Sequence, residues 1–136
     1  MDSSRRVDLV ALTLLALALL ASVALYGRLP AEMAVQFTGG AVSSVVSKPV
    51  GAVVVPVVGV VVVAGIRLAP LLGVARHGSP DLGVLLTGVI VAYVHALILV
   101  WNVGVRFQPA LAVVPLLVVV VGVTIYARSR GIGSGV

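Results

Sequence analysis

The stretch Leu82–Val105, LGVLLTGVIVAYVHALILVWNVGV, runs for 24 residues without an aspartate, glutamate, lysine or arginine. At about 1.5 Å of rise per residue, a helix of this length crosses the ~30 Å hydrocarbon core of a bilayer. Ser79-Pro80-Asp81 precedes it and reads as a helix start: an N-capping serine, a proline where its missing N–H costs nothing, and an acid at the positive helix end. Three further apolar runs lie at about Leu9–Leu29, Val50–Ile66 and Pro109–Ala127. Val50–Ile66 is valine-rich and would favour strand in water. In lipid its backbone has no solvent to bond, so helix is imposed. Pro56 interrupts this run and cannot donate to the Ala52 carbonyl, so a kink is expected there. The fold expected is an all-α membrane protein, a single membrane domain over residues 1–136. It has four transmembrane helices, one short extracytoplasmic hairpin or loop over residues 30–48, and a flexible glycine-rich tail over residues 131–136.

Composition narrows the function classes. The chain has 136 residues, 61% apolar and 10% charged, where soluble domains carry about 25% charge. Its mean hydropathy is +1.28. Four spans of ~20 residues leave no room for a soluble catalytic or nucleotide-binding domain. Nine Lys and Arg against four Asp and Glu give a net charge of +5. The cations sit at span ends, which suits topology signals and lipid headgroups, and no nucleic-acid partner is expected. Arg67 is expected to snorkel to headgroups at the end of the second span. There is no cysteine, hence no thiolate metal site or nucleophile. Ser22-Val23-Ala24 is similar to a signal-peptide cleavage site, but the apolar run continues beyond it, so the first span is retained. Arg5, Arg6, Arg67, Arg76, Arg128 and Arg130 fall at one end of the span order, and Arg28, Lys48 and Arg106 at the other. The positive-inside rule then places both termini in the cytoplasm of a multi-pass cell-membrane protein.

Two patterns carry most of the remaining information. Met33, Val35 and Phe37 alternate with Ala34, Gln36 and Thr38. Gly39-Gly40 is a turn signal, and Val42, Val45 and Val46 could supply a second strand. An irregular loop is the alternative. In the third span, Ala92, His95, Leu99, Asn102 and Arg106 all fall within about 40° of Gly88 at about 100° per residue, and Tyr93 lies on the opposite side. Small and polar residues on one stripe should face other helices. His95 and Asn102 are either a ligand or proton site or an interhelical hydrogen-bond pair, the latter worth about 0.6 kcal/mol. No span interior holds a carboxylate, and one intramembrane histidine cannot build a two-histidine haem site. No catalysis, cofactor or metal is expected.

Leu29-Pro30, then Met33-Ala34-Val35-Gln36-Phe37, Gly39-Gly40 and Ser47-Lys48-Pro49 resemble the first half of the SdpI-type immunity-protein family, itself catalogued as a domain of unknown function. His95 to Gly104, HALILVWNVG, is similar to that family's His…Trp/Asn-Leu-Gly stretch, especially in short four-span members. Gln36 stands where the family usually has histidine, and Gly40-Ala41-Val42-Ser43 replaces its acidic turn. The resemblance implies protection against a membrane-active peptide. The extracytoplasmic loop would be the contact surface, and Gln36, Phe37 and Lys48 the residues that meet the peptide. Two other classes compete. One is a small accessory subunit of a larger membrane complex, suggested by small residues on helix faces and the absence of a charged core. The other is a small multidrug-type transporter, disfavoured because Leu9–Tyr26 holds no acid. The partners considered are therefore membrane lipids, a membrane protein complex, a peptide toxin and a second copy of the chain.

Overall fold

A computed structural model describes residues 2–74 and 79–130. The expected tail at 131–136 and the loop residues Arg76 and His77 lie outside the described residues. Four helices long and apolar enough to cross a membrane make up the chain's main architecture. They are α1 (Ser3–Leu25), α2 (Lys48–Leu68), α3 (Pro80–Asn102) and α4 (Pro109–Ser129). A hairpin of β1 (Glu32–Thr38) and β2 (Ala41–Ser47) joins α1 to α2, and single 3₁₀ turns extend α1 through Arg28 and α2 through Leu72. The starts of α1 and α3 and the ends of α2 and α4 therefore share one end of the bundle, and the hairpin and the α3–α4 link share the other.

Each helix boundary has a local cause. The Asp2 side chain caps α1 by accepting from the Arg5 amide at 2.8 Å, and Ser79 caps α3 by accepting from Leu82. Prolines occupy the first turns of α2, α3 and α4, where no intrahelical donor is needed. The second helix begins at Lys48, so this residue belongs to the first turn of α2 and not to the preceding loop. It continues through the buried Pro56 without interruption.

The core forms around α3, which packs on α1, α2 and α4. At the terminal end Ala11, Leu15, Val63 and Val84 are buried together; at the hairpin end the cluster is Leu29, Met33, Ala52, Ile98 and Leu99. Small residues set the helix spacing. A Cβ on Gly88 would lie 2.8 Å from the Cα of Ala11, and one on Gly59 would lie 2.7 Å from Leu15 Cδ2 and 2.9 Å from Val91 Cγ1. The expected stripe of α3 thus does face its neighbours, with Gly88, His95 and Leu99 buried and Ala92 half-buried. The fourth helix packs chiefly on α3 and buries only Leu116 and Ala127. Most other apolar side chains of α4, among them Leu111, Leu117, Val118 and Ile125, are exposed and left for lipid, as expected for a peripheral span.

Gly88→Ala should lower the thermal midpoint in detergent, because the new methyl meets backbone and cannot be accommodated by a rotamer change. The overpacking cost should be about 1–3 kcal/mol. Gly122→Ala, with open space at its Cβ, should be silent. Equal midpoints for the two variants would contradict the close α1–α3 approach.

Candidate functional site

The hairpin end is the part of the chain where turn chemistry, polar side chains and aromatic rings converge. Gly39 and Gly40 have φ of +60° and +82°, the two left-handed positions of a tight turn that matches strand twist. The strands pair antiparallel from Glu32↔Ser47 to Thr38↔Ala41, with irregularities on either side of Gln36. The expected hairpin therefore forms. Its inner face is anchored by Met33, fully buried against Gly51, where the Cβ of any larger residue would fall 2.7 Å from the Met33 sulfur.

Asn102 attaches the hairpin to α3. Its Oδ1 accepts from the Ala34 amide at 2.8 Å and its Nδ2 donates to the Ala34 carbonyl at 2.8 Å and to the Ile98 carbonyl at 2.7 Å. Ala34 pairs with Val45 in the ladder. In an antiparallel ribbon, every second residue turns both backbone groups away from its partner strand. Ala34 is such a residue, and the side-chain amide of Asn102 takes the place of the missing strand. Aromatic contacts extend this attachment: Phe37 meets Trp101 edge-on at 4.9 Å, and Trp101 meets Phe107 at 5.3 Å. Val35, Phe37, Val94, Leu97, Ile98 and Phe107 help line an apolar crevice of about 130 Å³ between β1, α3 and α4.

Deeper in the bundle, His95 is fully buried and its Nε2 lies 2.6 Å from the Ser22 hydroxyl of α1. His95 Nδ1 has no hydrogen-bond partner among the described residues. On the other side of α3 the Tyr93 hydroxyl donates to the Ala112 carbonyl of α4 at 2.6 Å. Pro115 deprives the neighbouring Leu111 carbonyl of its helical donor, so this bond ties α4 to α3 where the helix is weakest.

The terminal end carries a charged knot. Arg67 Nη2 lies 2.6 Å from Asp8 Oδ1, and its Nη1 lies 2.8 Å from Asp81 Oδ1. Arg67 Nε also donates to Asp8, and the Ser4 hydroxyl donates to Asp81 at 3.1 Å. One guanidinium thereby joins α1, α2 and α3. Arg67 was expected to snorkel to headgroups. Two carboxylates at the same depth offer stronger partners, because charge-assisted bonds to a planar fork are geometrically fixed.

The structure separates the residues the sequence grouped together. Gln36 is exposed on β1. Phe37 is half-buried and serves to hold the hairpin on Trp101. Lys48 reaches back from α2 to lie 4.4 Å over the Tyr26 ring. His95 and Asn102 do not pair with one another; each binds a different element. Arg106 leaves the stripe altogether. Helix α3 ends at Asn102, Gly104 adopts φ +107°, and the Val105 amide returns to the Val100 carbonyl in a helix-closing turn. Arg106 is consequently exposed, with its guanidinium 4.7 Å from the Trp101 ring and Nη1 donating to the Trp101 carbonyl. Ser22 and the Arg67, Asp8 and Asp81 knot are absent from the sequence-derived site. Their signals are visible in hindsight: Ser22 and Thr13 are the serine and threonine inside the first apolar run, and Asp8, Arg67 and Asp81 all fall at the same end of their spans. Among the described residues no group of three or more His, Asp or Glu is placed to hold a metal ion.

Asn102→Leu should unpair both backbone groups of Ala34, speeding exchange of the Ala34 amide about tenfold and costing about 1 kcal/mol. Unchanged exchange would mean the clamp does not hold the strand. Arg67→Met should destabilise the bundle by between about 1 and about 3 kcal/mol, between the values for exposed and buried pairs, since Asp8 and Asp81 then lose their shared cation. Asp8→Asn should cost less, and adding it to Arg67→Met should recover part of the loss in a thermal melt. An Arg67→Met protein as stable as the parent would rule out the knot as a structural tie.

Residues 13–60 match the model of a family described as a domain of unknown function (DUF1648). The match spans the second half of α1, the whole hairpin and α2 as far as Val60. No curated protein and no solved structure matches the chain.

Proposed function

We propose that this chain is a non-catalytic integral membrane protein that protects its cell from a membrane-active peptide by meeting it at the hairpin, as the resemblance to SdpI-type immunity proteins implies. The observation that carries the proposal is the attachment of the hairpin. Asn102 and the Phe37–Trp101 contact hold the ribbon at one end of the bundle, with Gln36, Thr38 and Ser43 among its exposed residues. A ribbon held in this way is a preorganised surface, and preorganisation lowers the entropy lost on binding. The matched segment, residues 13–60, includes this ribbon. In this proposal the hairpin lies outside the cell and both termini lie in the cytoplasm. Gln36 makes direct contact, Phe37 keeps the strand in place, and Lys48 presents a cation beside Tyr26. A second reading, an accessory subunit recognised within the bilayer, draws support from α4, whose apolar surface is left largely uncovered by the rest of the chain.

A sensitive host expressing the protein, challenged with a membrane-active peptide, tests the first reading. Gln36→Ala, Phe37→Leu and Lys48→Gln should each reduce protection at unchanged expression, while Leu117→Ala and Val118→Ala on α4 should leave it intact. The opposite pattern would favour the accessory-subunit reading. Orientation is tested with Ser43→Cys and Ser129→Cys in intact cells: an impermeant thiol reagent should label the first and spare the second, and labelling only at position 129 would invert the topology.

A further inference from the structure

We infer that the crevice between α1 and α2 at the hairpin end is a binding site for one anionic diacyl glycerophospholipid taken from the surrounding leaflet. The site needs no peptide and goes beyond the reading of the hairpin. The crevice has a volume of about 280 Å³, and Leu19, Ser22, Val23 and Tyr26 on one side and Pro49 and Val53 on the other help line it. Both walls belong to helices long and apolar enough to cross a membrane. Val23 and Val53 are 72% and 46% exposed, so the crevice opens sideways to the bilayer. An amphiphile dissolved in the leaflet reaches such an opening directly.

The groups along the crevice follow the order of the groups in that lipid. At the rim the Lys48 ammonium lies 4.4 Å from the centre of the Tyr26 ring, and among the described residues it forms no ion pair. The ring face holds the cation without neutralising it, which leaves its charge for a phosphate. Ser22 lies four residues deeper along the first span, about 6 Å at the helical rise. Leu19 and Val53 lie deeper than Tyr26 and Lys48 and are apolar. A glycerophospholipid carries its phosphate, its ester carbonyls and its chains in the same order. Charge at this end is complementary as well, with Arg28, Lys48 and Arg106 against Glu32.

The Ser22 hydroxyl hydrogen is available to an ester carbonyl. His95 Nδ1 is buried and has no partner among the described residues. A hydrogen on Nδ1 would be a stranded buried donor, which proteins rarely keep. The hydrogen therefore sits on Nε2 and is donated to Ser22 Oγ at 2.6 Å. The serine's own hydrogen is left with the Ala18 carbonyl at 3.4 Å, a long contact that an ester carbonyl can replace.

The test is native mass spectrometry of the full chain in detergent, titrated with phosphatidylglycerol, phosphatidylcholine of the same chains, and the dialkyl ether analogue of the phosphatidylglycerol. Phosphatidylglycerol should bind at least about fivefold more tightly than phosphatidylcholine. Lys48→Gln should remove that preference, and Arg106→Gln, which changes a cation stacked on Trp101, should keep it. Val53→Trp fills the crevice from its exposed wall and should abolish one-to-one binding with the lipid-free thermal midpoint unchanged. The ether analogue should bind about threefold more weakly than the ester in the parent and equally in Ser22→Ala, a comparison that does not depend on any stability lost with the His95 contact. Equal binding of the two headgroups, binding retained in Val53→Trp, or equal losses in Lys48→Gln and Arg106→Gln would overturn the inference. Competition by inorganic phosphate would overturn it too, by making the site one for a free anion, and so would equal binding of ester and ether forms in the parent. Gln36→Ala, expected to lower protection in the peptide challenge, should leave lipid binding unchanged, so this inference and the proposed function fail separately.

Discussion

A polar group inside a bilayer has no water to return to, and most of this structure follows from that constraint. It turns valine-rich sequence into helix. It also explains why polar side chains in the spans bond either their own helix, as Thr87 and Thr124 do, or another element. Asn102 satisfies a strand, Tyr93 reinforces a proline-weakened helix, Ser22 meets His95, and Arg67 gathers two carboxylates. These contacts are few, but they fall at different depths. Together they set the rotation and height of each helix, which apolar packing against equally apolar lipid specifies poorly.

Close packing supplies the remaining specificity. Glycine and alanine at the α1–α3 crossing bring the two backbones together, and dispersion contacts grow as the separation falls. The three-helix unit of α1, α2 and α3 is closed at the terminal end by the Arg67 knot and at the hairpin end by Met33 and Leu29. By contrast, α4 lies outside this unit and is joined by the Tyr93 bond and a narrow apolar contact. A chain built in this way has a rigid part that presents the hairpin and a peripheral span with a large lipid-accessible surface.

The hairpin occupies the boundary between these regimes. On one of its edges, both backbone groups of Ala34 are taken by a side chain from the bundle.

The amino-acid sequence by itself determined the four apolar spans, the helix starts at Ser79 and the prolines, the Gly39-Gly40 turn and the inward stripe of α3. Each depends on interactions between residues a few positions apart or on the hydrophobic period, both of which are local. Tertiary structure alone decided the partners. His95 and Asn102 share a face, yet one meets Ser22 across 73 positions and the other meets Ala34 across 68. Nothing in the spacing of α3 specifies the height at which α1 or the hairpin passes it. The helical wheel carried Arg106 onto the stripe because it assumes the helix continues; the left-handed turn at Gly104 ends that assumption. The Arg67 knot was hidden for the same reason, since three charges in three separate spans become neighbours only when the helices are set side by side at matching depth.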